Sequence, residues 1–207
     1  SGENIVSNAA EMKDIDGIID FSSPVLALRS AKRAVELSIP FVSGTTGFTE
    51  EQYEQLRSYS KNIPILHSPN MSVGVNVMFS AARFLAEQLK DFDLEIMEIH
   101  HSRKADSPSG TALKLWDSAS CGREMKKVDG RSGAVGPRDK NEFGIMSIRG
   151  GDVAGEHTLF LMGKGERLEL THRVSDRDNF AVGAIKCLRF LFDKPAGFYE
   201  MKDMLSE

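Results

Sequence analysis

The chain has 207 residues, 41% hydrophobic, 27% charged and 8% aromatic, with 18 glycines and 7 prolines, which excludes disordered, collagenous and membrane-embedded classes. A formal charge of -4 argues against a nucleic-acid partner, so any anionic ligand must be met by a local cluster of cations. No apolar run approaches the ~20 residues of a bilayer span, and two cysteines, Cys121 and Cys187, are too few for a disulfide scaffold and suit a reducing cytoplasm.

Ser1-Gly2-Glu3-Asn4 opens the chain without an initiator methionine or a basic leader, and the polar segment Glu11 to Asp16 follows, so the sequence reads as starting in the middle of something longer. Regular patterning begins at Gly17. The apolar run Ile18 to Phe21 predicts a strand, and a helix follows to Leu37 with Ser23 as N-cap and Pro24 at its first position. Phe41 and Val42 predict a second strand ending in Gly44-Thr45-Thr46-Gly47, and Thr49 with Gln52 forms a capping box that starts a helix reaching about Ser60. Ile63 to Leu66 predicts a third strand, ending in His67-Ser68-Pro69-Asn70. Strands separated by helices at this spacing make a parallel βαβαβ train, whose ligands gather at the carboxyl ends of its strands.

After Met71 the texture changes. A long helix with Val73, Val77, Phe84 and Leu85 among its apolar positions runs to Leu89, and an alternating strand covers Leu94 to His100. Further strands are predicted at Phe143 to Arg149, Glu156 to Leu161 and Leu168 to Val174, the last two paired around Gly163-Lys164-Gly165, with helices at Phe180 to Phe192 and Met201 to Leu205. The expected fold is α/β: a parallel-sheet domain in the first part of the chain and a second α+β domain with a mixed, mostly antiparallel sheet.

The densest chemistry lies between Glu98 and Thr111, where His100, His101, Arg103 and Lys104 place four potentially cationic groups within five residues. Just beyond them Pro108-Ser109-Gly110-Thr111 precedes the helical run Ala112 to Ala119, so amides near Gly110 and Thr111 offer the unpaired donors of a helix N-terminus. A carboxylate or phosphate suits such a site. Neighbouring residues on a strand face opposite ways, so one of His100 and His101 serves a given site unless the backbone is already turning. Metal binding, with His157, His172 and Cys121 as further ligands, is disfavoured because none of these lies at a recognised ligand spacing and Arg103 and Lys104 repel a cation.

Several strings taken together resemble the dihydrodipicolinate reductase family of lysine biosynthesis: Asp20-Phe21-Ser22, GTTGFTEEQ from Gly44, SPNMSVGVNVM from Ser68, EIHHSRKADSPSGTAL from Glu98, RGGDVAGEHT from Arg149 and THRVSDRDNFAVGA from Thr171. The resemblance implies an incomplete Rossmann-type nucleotide-binding domain (1–71 and 181–207) and a substrate-binding and oligomerisation domain (72–180), in a reductase that uses NADH or NADPH on a small dicarboxylate and assembles as a homotetramer, with no metal. It implies proton donation by His100 and Lys104, substrate contacts at His101, Gly110 and Thr111, and cofactor contacts at Gly44, Thr45, Thr46, Ser68, Pro69, Asn70 and Met71. Relative to the family pattern, the first strand and its glycine-rich phosphate loop are missing, and Trp116 to Lys126 is short for a helix plus a connection. Two alternatives stand beside this reading: an aspartate- or homoserine-dehydrogenase-like enzyme, and a non-catalytic oligomerising fragment.

Overall fold

The computed structural model describes residues 8–206; the opening Ser1-Gly2-Glu3-Asn4 lies outside the described residues. A short 3-10 turn at Ala9–Glu11 precedes fifteen elements in chain order. They are β1 (Ile18–Asp20), α1 (Pro24–Leu37), β2 (Phe41–Ser43), α2 (Glu50–Tyr59), β3 (Pro64–His67), α3 (Val73–Gln88), β4 (Asp93–His100), α4 (Gly110–Ser120), β5 (Lys126–Asp129), β6 (Glu142–Arg149), β7 (Gly155–Gly163), β8 (Glu166–Val174), α5 (Asp178–Leu191), β9 (Gly197–Tyr199) and α6 (Met201–Leu205). The chain forms two compact units: the described residues up to Val73 with those from Asp178 onward, and Gly74–Arg177. Among the described residues no helix is long and apolar enough to cross a membrane.

The first unit is a parallel sheet ordered β1-β2-β3-β9. Both faces of its strands are apolar because helices cover both. Phe41 and Ile65 pack with Ala31 and Ala34 of α1 and Leu56 of α2, whereas Val42 and Leu66 pack with Ala184, Cys187 and Leu191 of α5 and Met201 of α6. Close approach depends on small residues: a Cβ on Gly183 would fall 1.8 Å from the Met71 carbonyl oxygen. Ser23 caps α1 without a side-chain hydrogen bond, whereas the Thr49–Gln52 capping box on α2 is complete. Phe21 lies beyond β1 and is 51% exposed.

The second unit is a mixed sheet ordered β5-β6-β4-β7-β8, with β4 parallel to β6 and antiparallel to β7. The pairing of β5 with β6 is parallel, and that of β7 with β8 antiparallel. One face is closed by α3 and α4 around Leu94, Ile96, Phe143, Ile145, Leu159 and Leu161. On α3 the buried stripe is Val75, Met78, Ala82 and Ala86; Val77 and Phe84, expected among its apolar positions, stand 49% and 60% exposed. The short stretch after Trp116 suffices because α4 ends at once: Cys121 (φ 52°) and Gly122 (φ 72°) take left-handed backbone and turn the chain into β5.

Candidate active site

Period-two alternation puts Leu94, Ile96, Glu98 and His100 on the helix-covered face of β4, so the buried row turns from apolar to polar toward its carboxyl end. Strand register then sets the partners. Glu98 lies between Ser147 on β6 and His157 on β7, with His172 of β8 beyond, and His100 lies beside Arg149. Glu98 is fully buried. Its Oε2 is in close contact with His100 Nδ1, and its Oε1 accepts from Arg149 Nη2 at 2.7 Å and from the Ser109 amide at 3.2 Å. Burial opposes ionisation of this carboxyl, but hydrogen bonds from His100, Arg149 and Ser147 outweigh it and hold Glu98 well below the usual carboxylate range.

Ser109 has two further tasks. As N-cap of α4 its hydroxyl accepts from the Ala112 amide at 3.1 Å, and it lies 3.1 Å from His157 Nε2. The His157 and His100 rings meet edge-on at 5.1 Å between centroids. Burial, with the neighbouring His100 adding to it, pushes His157 down to about 3, so it is neutral at physiological pH. His172 is lowered too, by burial.

Lys104 sits on the loop after β4, which is fastened by His101 N to Val153 O (2.8 Å), Ser102 N to Gly151 O (3.2 Å) and Lys104 N to His101 O (3.1 Å). Its Nζ donates to Asp106 Oδ1 at 2.7 Å, a bond that holds the Asp106 carboxyl low. Arg149 Nη2 donates also to the Asp106 carbonyl at 2.7 Å. One end of this sheet therefore gathers His100, His101, Lys104, Arg149 and the first turn of α4, where Gly110 and Thr111 stand. The arrangement suits a dianion, because cations and helix-start amides meet carboxylates without burying an unpaired charge.

Glu98, His100 and His157 also bring ligand-type atoms within 4.8 Å of one another. No spacing in the sequence announced this trio, which only strand pairing assembles. A cation there would compete with the Arg149 guanidinium for the Glu98 carboxylate, so the donor set is poor for a metal.

In the first unit the expected cofactor contacts divide into inward and outward groups. Thr45 is buried: its hydroxyl donates to Asp20 Oδ2 at 2.5 Å and accepts from the Ser22 amide at 2.9 Å. Asp20 also accepts from Ser22 Oγ at 2.5 Å and Ser43 Oγ at 3.3 Å, tying together the ends of β1 and β2. Ser68 is turned onto its own loop, donating to Asn70 O at 2.8 Å, and Met71 lies in the core. Thr46 and Pro69 are exposed, and Gly44 and Asn70 half-buried. His67 Nε2 lies 3.0 Å from the Thr45 carbonyl, and burial lowers the pKa of its ring.

Sequence reasoning did not single out Glu98, Ser109, Arg149 or Asp20. For Glu98 a signal existed, since a residue two before His100 on a strand shares its face. Arg149 needed the β4–β6 register.

A family model described as "Dihydrodipicolinate reductase, N-terminus" matches residues 2–71, and one described as "Dihydrodipicolinate reductase, C-terminus" matches residues 74–205. The chain is similar to 4-hydroxy-tetrahydrodipicolinate reductase of Aquifex aeolicus, at 49% identity over 194 residues, covering 92% of this chain and 73% of that protein. It is similar to the same-named protein of Archaeoglobus fulgidus at 44% identity over 199 residues, covering 93% and 76%. Among solved structures it resembles the dipicolinate-bound dihydrodipicolinate reductase of Paenisporosarcina sp. TG-14, with TM-score 0.74 and 25% identity over 89% of this chain and 71% of that one.

Proposed function

The chain belongs to the dihydrodipicolinate reductase family, and from that premise we propose that it reduces 4-hydroxy-tetrahydrodipicolinate to tetrahydrodipicolinate in lysine and diaminopimelate biosynthesis, using NADH or NADPH. The observation that carries this reading is the cationic end of the mixed sheet, where His100, Lys104 and the α4 N-terminus stand together. Dipicolinate, the ligand named for the similar Paenisporosarcina structure, is a planar dicarboxylate of the kind such a site suits.

When bound, the dihydronicotinamide supplies a hydride from its C4. Its holders in this chain are the loops at the carboxyl ends of β1, β2 and β3, where Gly44 and Thr46 and the turn Pro69–Asn70 offer backbone and side-chain groups. The fit is favourable on one further count. The exposed Phe21 ring lies over Gly44, where a Cβ would fall 2.2 Å from it, so this strand end joins an aromatic face to backbone polar groups. Thr45, Ser68 and Met71 shape these loops from inside.

Lys104 pairs with the substrate's negative charge and gives a proton to its hydroxyl, which leaves as water while the adjacent ring carbon releases a proton to solvent, so the elimination takes up no net proton and leaves the ring unsaturated. After hydride addition to the unsaturated ring, His100 gives a proton to the carbanionic or enamine carbon. His101, Gly110 and Thr111 bind the carboxylates. His100→Gln and Lys104→Ala should each lower kcat about 10²- to 10⁴-fold while leaving cofactor affinity nearly unchanged. Loss of cofactor binding on that scale in either variant would refute these roles.

The protein works as a cytoplasmic homotetramer joined through the strands of the mixed sheet. The face of that sheet opposite α3 and α4 carries Met97, Ile99, Met146 and Ile148, the last 45% exposed, an apolar strip suited to a second copy. Light scattering that finds a monomer at micromolar concentration would contradict this assembly.

A further inference from the structure

We propose that Glu98 and Arg149 are positioning residues for proton transfer: Glu98 holds the His100 ring through Nδ1 so that Nε2 is presented for reaction, and Arg149 ties that carboxylate to the loop carrying Lys104. The inference rests on the roles proposed above for His100 and Lys104.

Glu98 occupies the next inward position after Leu94 and Ile96, where burial favours an apolar side chain, yet it is a fully buried carboxylate. Such a group persists only where every oxygen is matched. Here Oε1 receives Arg149 and the Ser109 amide, and Oε2 faces His100 Nδ1. An ionised carboxylate only accepts, so the hydrogen shared with His100 sits on Nδ1, and the imidazole is fixed in rotation and in tautomer. The remaining ring nitrogen, Nε2, is the atom left for exchange with a substrate. Space beside it depends on Gly155, where a Cβ would approach to 3.1 Å.

Arg149 extends the arrangement. Its Nη2 donates at 2.7 Å to both Glu98 Oε1 and the Asp106 carbonyl, while the Asp106 carboxylate accepts Lys104 Nζ at 2.7 Å. A continuous chain of polar contacts thus runs His100–Glu98–Arg149–Asp106–Lys104. Its two ends are the two groups that hand protons to the substrate, so their spacing is set from beneath the site rather than by the substrate.

Double-mutant kinetics on the whole natural protein tests this, with kcat, substrate KM and cofactor affinity measured for Glu98→Gln, Arg149→Lys, His100→Gln and Glu98→Gln/His100→Gln. Glu98→Gln should lower kcat about 10- to 100-fold with KM within about twofold, and the double variant should be no slower than His100→Gln alone, because Glu98 acts through His100. Arg149→Lys retains the charge but not the two-way reach, and should lower kcat about 5- to 20-fold. It also serves as the test if Glu98→Gln does not fold. Losses that multiply in the double variant would show a merely structural Glu98 and overturn the proposal. A slow His100→Gln beside wild-type kcat in Glu98→Gln would overturn this inference alone, whereas wild-type kcat in His100→Gln would remove the His100 role and the inference with it.

Discussion

Lowering the pH from 6.5 to 4.5 should destabilise the protein through His157, and replacing that residue should abolish this part of the loss. His157 is 4% exposed, faces Glu98 and His100 on β4, His172 on β8 and Ser109 on α4, and is pushed down to about 3 from an ordinary value of 6.5. The folded state keeps the ring neutral while the unfolded chain takes a proton below 6.5. Stability is therefore fully present above that value and is lost as pH falls toward the folded pKa. One pH unit in this range corresponds to about 1.4 kcal/mol, so the loss between pH 6.5 and 4.5 is on the order of 2.5 kcal/mol. The depressed carboxyls Glu98, Asp106 and Glu95, the last bonded by Arg131 and Arg138, contribute stability that is present above their ordinary values and is lost as pH falls from those values, so it begins to fade only at the acid edge of this window. His67 and His172 act in the same direction as His157, so the informative quantity is the difference between wild type and His157→Gln. Urea unfolding at three pH values can be followed by Trp116, the single tryptophan, whose ring stacks on Phe143 at 5.6 Å in the same unit. The slope of stability against pH should be shallower in His157→Gln by about 1 kcal/mol per pH unit. Parallel slopes would refute a neutral, buried His157.

Thr45→Val removes the hydroxyl that links Asp20 to the Ser22 amide, so it should lower stability by about 1–3 kcal/mol and raise the cofactor KM while leaving kcat nearly intact; an unchanged cofactor KM would contradict the loop-shaping role of Thr45. Gly183→Ala sets a Cβ against the Met71 carbonyl, a backbone atom with no room to yield, and should lower the melting temperature by roughly 5–10 °C. A melting temperature within about 2 °C of wild type would show that α5 can move away at little cost.

Much of the architecture was legible in the sequence because it rests on short-range signals. The Thr49–Gln52 box placed the start of α2, and alternation from Leu94 to His100 marked β4 and the face it buries. Two strands escaped such reading. In β9 only Gly197, Phe198 and Tyr199 are extended, and they are recruited by pairing with Pro64, Ile65 and Leu66. β5 is the mostly exposed Lys-Lys-Val-Asp, an edge strand held by β6 rather than by an apolar pattern. On α3 the apolar residues form more than one helical stripe, and the side that packs on β4, β6 and β7 selected Met78, Ala82 and Ala86 over Val77 and Phe84. The cationic cluster at His100 to Lys104 was visible as composition. The carboxylate beneath it was harder to see, since Glu98 acquires its partners from strand pairing and from the N-cap of α4.

The most direct measurement of the proposed activity is the loss of dihydronicotinamide absorbance when the whole natural protein meets 4-hydroxy-tetrahydrodipicolinate made in situ by the preceding pathway enzyme. Consumption of one cofactor per substrate, competitively inhibited by dipicolinate and suppressed in His100→Gln, is the predicted result. Folded, assembled protein that oxidises no NADH or NADPH above the substrate-free control would contradict it.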